Sequence, residues 1–232
     1  YSSIDKEDKL EIKKGGNTFV WDTRYKGAEV LDGMIFWSAS FSGPKAVPGN
    51  YEVILEKNGI SQKQSFAILQ DPRSEVTLSE MIEQFDFVNL VNSSVDKAHK
   101  AIKNIRTIRK KLEDFEVLHK ENITLNLLLK KAEKLNQSLT KIEKALYQTQ
   151  NKSNQDPLNF PIRLTNKLGH LNQLVTINDF PPTDQDEIVR KLLTKKIDEN
   201  LEEYEKLIKE DLRLFNENFS KLNLDYLTIN EN

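Results

Sequence analysis

Apolar residues recur at helical spacing along most of the chain after residue 75. The first stretch opens with a capping box, Thr77-Leu78-Ser79-Glu80, in which the Thr77 hydroxyl and the Glu80 carboxylate can each accept a hydrogen bond from the other residue's amide. It continues to Leu112 in steps of three and four. A second stretch keeps this alternation without exception, at Leu125, Leu128, Ala132, Leu135, Leu139, Ile142 and Leu146. The two stretches predict long amphipathic helices that pack together.

Two more helices are predicted beyond a polar loop at 150–161, which two prolines interrupt. Pro161 suits the first turn of a short helix that runs to about Ile177. A proline pair followed by a threonine cap then starts a last long helix, whose apolar face extends to Phe219. The pattern predicts an antiparallel bundle of three long helices and one short helix over 76–232.

The first 73 residues follow a different period. Within 49–69, apolar and polar residues alternate on both sides of Asn58-Gly59, a pair that supplies the two positive φ angles of a type I′ turn. This segment predicts a β-hairpin. Further short strands are expected upstream of it, on either side of the glycine pair and in the stretch that contains Trp37. Together they predict a small immunoglobulin- or fibronectin-like β-sandwich.

Composition places the boundary between these halves. Seven of the eight glycines and both tryptophans precede residue 60, and the change in composition falls at 70–75. The sequence therefore predicts a β-sandwich domain at 1–73 and a helical-bundle domain at 76–232. The fold class expected is a two-domain β plus α protein.

Charge and cysteine content exclude several functions. The formal net charge is −2, so a nucleic-acid partner is not expected. The chain has no cysteine and three histidines, which leaves no disulfide or thiolate chemistry. No uninterrupted apolar run is long enough for a membrane span. The chain begins without Met and without a signal-peptide pattern, as expected of a piece of a longer protein.

Few side chains suggest chemistry. Two carboxylate-x-x-His pairs, Asp96…His99 and Glu116…His119, have the spacing of di-iron ligands, but they lie 20 residues apart on one predicted helix, about 30 Å along its axis. We interpret them, and the basic run at 103–111, as solvated helix surface. No catalytic residue, metal site or cofactor is predicted.

Aromatic residues in the first half allow a sugar site. Trp37 and Tyr25 are candidates for stacking against a sugar ring, since aromatic faces cover apolar C–H surface. Packing inside the sandwich is the favoured interpretation. An exposed Trp37–Tyr25 face would support carbohydrate binding, and a buried one would exclude it.

The corner at 156–161 is predicted to be structural. Pro157 and Pro161 fix two φ angles. Asp156 can accept hydrogen bonds from the amides that follow it, and Asn159 can do the same at the start of the next helix. Phe160 is apolar in an otherwise polar loop, so it is predicted to be buried against the helices. This corner would set the direction of the short helix rather than bind a ligand.

Four blocks carry a resemblance to a known family. They are GGNTFVWDTRYKGAEV at 15–30, MIFWSASFSGPKAVPGNYEVILEKNG at 34–59, ILQDPRSEVT at 68–77 and QTQNKSNQDPLNFPIRLTNKLGHLN at 148–172. The chain resembles the C-terminal region of bacterial sortilin-like proteins that carry BNR repeats and are labelled glycosyl hydrolases. The resemblance implies an upstream β-propeller that this chain lacks, and export to the periplasm or the cell surface. It assigns no active-site residue to this sequence.

The function expected is that of a non-catalytic C-terminal accessory module of an exported BNR-repeat propeller protein. It would dock against the propeller of the same polypeptide or mediate assembly, with self-association through the helices as one route. Two alternatives stay open. One is a carbohydrate-binding sandwich, and the other is part of a glycoside hydrolase whose active site lies in the missing propeller.

Overall fold

The structure, a computed structural model, describes residues 12–222. They form one two-stranded antiparallel sheet and four helices. The strands are β1 (Gly49–Lys57) and β2 (Ile60–Ile68), and the first three helices are α1 (Leu78–His119), α2 (Asn126–Leu146) and α3 (Leu164–Val175). The last helix comprises α4 (Asp184–Lys206), a π-helical segment (Leu207–Leu212) and α5 (Arg213–Ser220). Short 3-10 turns occupy Ile123–Leu125 and Asp156–Leu158.

The first and last helices begin where the sequence predicts. Thr77 caps α1 in a complete capping box with Glu80, and Thr183 caps α4 in another with Asp186. These two predictions are confirmed. α3 begins at Leu164, three residues after the predicted start, because Pro161 lies in the preceding loop.

The core lies where α1 contacts α2, α3 and α4. The seven residues of the predicted α2 seam are all buried, which confirms that face. The core also contains a line of α1 residues: Phe87, Val91, Val95, Ala98, Ile102, Ile105, Ile108, Leu112 and Phe115. The last helix adds Ile197, Leu212, Phe215 and Phe219.

The predicted fold class, a β-sandwich followed by a bundle of three long helices and one short helix, is wrong. β1 pairs with β2, and no third strand joins them in the described part of the chain. Outside these strands, a single bridge between Arg24 and Lys45 is the β-pairing found in 12–222. Of the strand predicted before the glycine pair, residues 9–11 lie outside the described residues, and residues 12–14 are not in a strand. The sandwich fails because the upstream residues bond to the helices instead of extending the sheet.

The hairpin itself is confirmed. Asn58 and Gly59 have φ angles of 51° and 78°, as a type I′ turn requires. Tyr51 pairs with Phe66 and Lys57 with Ile60, so the register continues to the turn. Because directly paired residues share a face, one face of the hairpin is mainly apolar and the other mainly polar.

Residues 24–45, which we call the docked segment, fold back on themselves and lie across α1 and α3. The Tyr25 amide donates to the Pro44 carbonyl (3.0 Å) and the Ala28 amide to the Phe41 carbonyl (2.9 Å). Between these two bonds, the two antiparallel halves of the segment, which we call its two passes, approach each other closely at Gly27 and Gly43. The apolar residues Ala28, Leu31, Met34, Phe36 and Phe41 pack against the helical core.

None of the helices in 12–222 combines the length and the apolar character that crossing a membrane requires. The predicted domain boundary at 70–75 stays a prediction. The docked segment nevertheless connects the two sides of that boundary through the contacts described below.

Candidate functional site

Asp96 and His99 on α1 bond the two main-chain groups of Glu29 in the docked segment. The Asp96 carboxylate accepts a hydrogen bond from the Glu29 amide at 2.7 Å, and His99 Nδ1 bonds the Glu29 carbonyl. His99 is fully buried. The interpretation as solvated helix surface is therefore wrong for His99, whereas Asp96 is exposed. The i, i+3 spacing of the pair places both side chains on the face that the docked segment covers.

The middle of the docked segment is bonded by three polar side chains. The Tyr147 hydroxyl accepts from the Ile35 amide at 2.8 Å, and Asn151 donates to the Ile35 carbonyl at 3.4 Å. On α3, the Asn166 side chain accepts from the Trp37 amide and donates to the Trp37 carbonyl, both at 2.8 Å. The amide and the carbonyl of Ile35 and of Trp37 are thus all hydrogen-bonded by the helical part of the chain.

The end of the docked segment is bonded by α3 and α1 together. The Ser40 amide donates to the Gly169 carbonyl at 2.9 Å, and Asn172 donates to the Ser40 carbonyl at 3.0 Å. Asn92 on α1 donates to the Ser42 carbonyl at 3.0 Å. Gly169 permits this approach, because a Cβ there would lie 2.7 Å from the Phe41 ring.

His99 should make the stability of the protein depend on pH. Its burial lowers the pKa, against the opposing effects of the Glu29 carbonyl and of the Asp96 and Glu29 charges, while Arg106 lowers the pKa further. Since a carbonyl only accepts, Nδ1 carries the proton in the neutral ring. The folded state therefore binds this second proton less readily than the unfolded chain does, so stability falls as the pH drops below about 6.5.

We expect the free energy of unfolding of the wild type to fall more between pH 7.5 and pH 5.5 than that of His99→Gln, as measured by urea titration. The carboxylates titrate in both proteins, so their effect cancels in the comparison. Equal losses in the two proteins would contradict this assignment of the buried ring.

Tyr25 and Trp37 lie at different places in the docked segment. Tyr25 is 40% exposed, and its ring packs edge-on against Phe85 of α1 with centroids 5.0 Å apart. Trp37 is 39% exposed and lies where Asn166 bonds its main chain. Each ring keeps an open face, but the structure records no ring contact between them in 12–222. Their sugar-stacking role stays a prediction.

The corner at 156–161 is organised by Asp156. Its carboxylate accepts from the amides of Lys152 and Ser153 at 2.6 and 2.9 Å and from the Ser153 hydroxyl at 3.0 Å. The Lys152 amide, then the Ser153 amide and hydroxyl, hold the pKa of Asp156 below its usual range. The partners precede Asp156, whereas the prediction placed them after it. Pro157 lies in the 3-10 turn.

Phe160 is half-buried rather than buried, and Asn159 is exposed. We therefore expect Phe160→Ala to lower the free energy of unfolding by about 1–2 kcal/mol, below the cost of about 3–5 kcal/mol for a fully buried phenylalanine. Urea unfolding measures this change. Leu158→Ala, at an exposed neighbouring position, serves as the control and should change stability by less than about 0.5 kcal/mol. A midpoint for Phe160→Ala equal to that of the wild type would contradict a structural role for this corner.

A buried ion cluster lies further along α1. Arg106 Nε and Arg109 Nη1 approach the two oxygens of Glu143 at 2.8 and 2.7 Å, and the Glu143 side chain is 3% exposed. The interpretation of the basic run at 103–111 as solvated surface is wrong for these two arginines. The sequence does carry a signal for this cluster. The two arginines have i, i+3 spacing, and Glu143 directly follows Ile142 of the α2 seam.

Within residues 12–222, no group of three or more histidines or acids is arranged to hold a metal ion. Glu116, from the second carboxylate-x-x-His pair, has its pKa raised by burial and by the charges of Glu133 and Glu113. His119 packs against the Phe115 ring at 4.9 Å. The two predicted pairs thus have separate surroundings.

A small pocket lies at the base of the hairpin, between Ile68, Met81 and Phe85. Its volume is about 130 Å³, and the Lys45–Asp179 ion pair, 2.8 Å long, lines one side. Sites for drug-sized ligands usually enclose about 300–1,000 Å³. This pocket has room for a few water molecules.

Comparisons with protein-family models, with curated proteins and with solved structures give no match for this chain. The resemblance to sortilin-like BNR-repeat proteins therefore stays a hypothesis. The structure defines a fold class, which consists of four helices, a protruding hairpin and a docked segment. It also shows which surfaces of this fold are exposed.

Proposed function

We propose that this chain is a non-catalytic accessory module of an exported protein, at the cell surface or in the periplasm, and that it acts by docking. The proposed partner is a β-propeller of BNR repeats located upstream in the same polypeptide. The sequence resemblance supports the partner and the export. The surface of the hairpin supports docking.

The apolar face of the hairpin is the observation on which this proposal depends. Trp21 covers its base, with ring centroids 6.1 Å from Tyr51 and 6.4 Å from Phe66. Beyond this cluster, Leu55 and Ile60 are 63% and 70% exposed. A two-stranded hairpin is marginal alone, and contiguous exposed apolar surface usually marks an interaction site. A partner that covered this face would stabilise the hairpin and would bury its exposed apolar surface.

Binding between this chain and the separately expressed propeller region tests the proposal. We expect Val53→Lys with Leu55→Lys to weaken binding in calorimetry by about tenfold or more, because both lysines enter the apolar face. The matched control is Ser61→Lys with Ser65→Lys, which adds the same charge to the opposite face. Equal weakening by both pairs would contradict docking through the apolar face, and no binding by the wild type would reject the proposed partner.

Self-association through the helices is a second route to assembly. The end of α1, the turn after it and the start of α2 expose four large aliphatic side chains, Val117, Leu118, Ile123 and Leu127. Sedimentation velocity of the chain alone, with Leu118→Lys as the variant, distinguishes this route from docking through the hairpin.

The carbohydrate alternative rests on the open faces of Trp37 and Tyr25. A glycan-binding screen in which a positive signal disappears in Trp37→Ala would favour it. The glycoside-hydrolase alternative would instead require turnover by the propeller region that increases when this chain is added.

A further inference from the structure

The docked segment is held largely through its main chain. Between residues 29 and 42, the helical part of the chain bonds the carbonyls of Glu29, Ile35, Trp37, Ser38, Ser40 and Ser42 and the amides of Glu29, Ile35, Trp37 and Ser40. Nearly all of the partners are side chains of α1, α3 and the residues around Tyr147. Main-chain bonding of this kind holds a peptide segment with little dependence on its side chains.

Asn166 makes the most specific of these contacts. Its carboxamide presents one acceptor and one donor to the two main-chain groups of Trp37, as a neighbouring β-strand would. His170 Nδ1 bonds the next carbonyl, that of Ser38, at 2.7 Å. α3 therefore presents a row of polar side chains that hydrogen-bond the main chain of the segment.

Two aromatic side chains and one small residue fit the segment to the helices. The Phe36 and Phe41 rings lie 4.5 Å apart and both contact the ring of His99 at 5.7 Å. Between them Ala39 lies against Gly169, where a Cβ on the glycine would come within 2.9 Å of the alanine Cβ. The surface thus selects aromatic, small and aromatic residues at positions 36, 39 and 41.

The match between the surface and its own segment is incomplete. Asn92 Oδ1 and Asn172 Oδ1 are buried and have no hydrogen-bond partner in the described chain, although both side chains face the segment through their amide nitrogens. Buried acceptors without partners reduce the net stability of a contact.

We propose that the surface formed by α1, α3 and Tyr147–Asn151 is a polypeptide-binding groove that takes a folded-back segment through its main chain, and that it accepts the docked segment of a second copy of this chain. Exchange of identical segments rebuilds the same contacts, so it needs no new interface. The ligand class is a peptide that bends at positions 37–38, with the aromatic–small–aromatic spacing above and free amides at positions 35, 37 and 40.

Uptake of a peptide by the full chain tests the groove. A protease site is placed in the exposed turn at 71–74, the folded chain is cut there, and a fluorescent peptide of residues 24–47 is added in excess. We expect the peptide to replace the cut segment and to elute with the helices. Asn166→Ala with Asn172→Ala should reduce uptake by about tenfold, because each loses main-chain hydrogen bonds.

Two controls distinguish main-chain recognition from nonspecific binding. Asn200→Ala, whose side chain bonds a carbonyl of its own helix, should leave uptake unchanged. A peptide methylated on the Trp37 amide nitrogen should bind about tenfold more weakly, whereas a Trp37→Leu peptide should bind within about threefold of the original. Equal binding of the methylated and original peptides would overturn main-chain recognition.

A second measurement uses the uncut chain. Two differently tagged copies are unfolded, mixed at high concentration and refolded, and material that carries both tags is recovered by sequential affinity steps. We expect mixed dimers in which both segments are exchanged, and fewer of them with Asn166→Ala and Asn172→Ala. If the wild type yields no mixed dimer and takes up no peptide, the proposal is wrong.

Discussion

Replacing Arg106 and Arg109 together by alanine is expected to lower the free energy of unfolding by about 3–5 kcal/mol, because Glu143 would stay buried without its two cations. Loss of one partner from a buried ion pair is costly, since the remaining carboxylate has neither water nor a counter-charge. Urea unfolding of the double variant measures this effect.

Adding Glu143→Leu to that double variant should restore much of the lost stability. An apolar side chain at this place carries no desolvation cost, so the triple variant should unfold at a higher urea concentration than the double variant. Arg106 also lies over the Tyr147 ring at 5.5 Å. If the triple variant is no more stable than the double variant, the loss came from the packing of the arginine stems.

Gly43→Ala is expected to lower stability by about 1–3 kcal/mol and to loosen the docked segment. A Cβ on Gly43 would lie 1.9 Å from the Tyr25 carbonyl oxygen, and one on Gly27 would lie 2.0 Å from that of Phe41. Both obstructing atoms are backbone, so relief requires the two passes of the segment to separate. Glycine is needed at these two positions because the backbone of the opposite pass leaves no room for a Cβ atom.

Gly16→Ala is the matched control, because nothing lies within 4 Å of the Cβ it would add. It should change the free energy of unfolding by less than about 0.5 kcal/mol. Hydrogen exchange provides a local measurement: in Gly43→Ala, the amides of Tyr25 and Ala28 should exchange faster than in the wild type. Unchanged protection of these amides would contradict the close-approach argument.

Local sequence signals predicted the local elements well. The capping box at Thr77, the Asn58-Gly59 turn and the α2 seam all specify structure within a few residues of themselves, and each is confirmed. Such signals depend on hydrogen bonds and spacing along one element. They require no knowledge of distant parts of the chain.

The β-sandwich was wrong for a physical reason that the docked segment illustrates. Glycines, aromatics and short apolar runs are typical of strands, yet an extended chain needs partners only for its amides and carbonyls. Here Asn166 and Asn172 on α3 provide partners that a neighbouring strand would otherwise supply. Nothing in the strand-like pattern of 24–45 distinguishes these two solutions.

The candidate site was predicted only in part. Trp37, Tyr25 and the 156–161 corner were recognised as unusual, but Asp96 and His99 were interpreted as solvated surface. A polar residue on an amphipathic helix is most often exposed, and only the segment that covers it reveals otherwise.

The sequence by itself determined where α1 and the last helix begin, which face of α2 is buried and where the hairpin turns, because these features follow from spacing and capping along one element. The tertiary structure decided that residues 24–45 lie on the helices, that Glu143 is buried between two arginines and that His99 is enclosed. These outcomes depend on hydrogen bonds and packing between residues up to more than 100 positions apart, such as Trp37 with Asn166. Long-range pairing of this kind leaves no periodic signal in the chain.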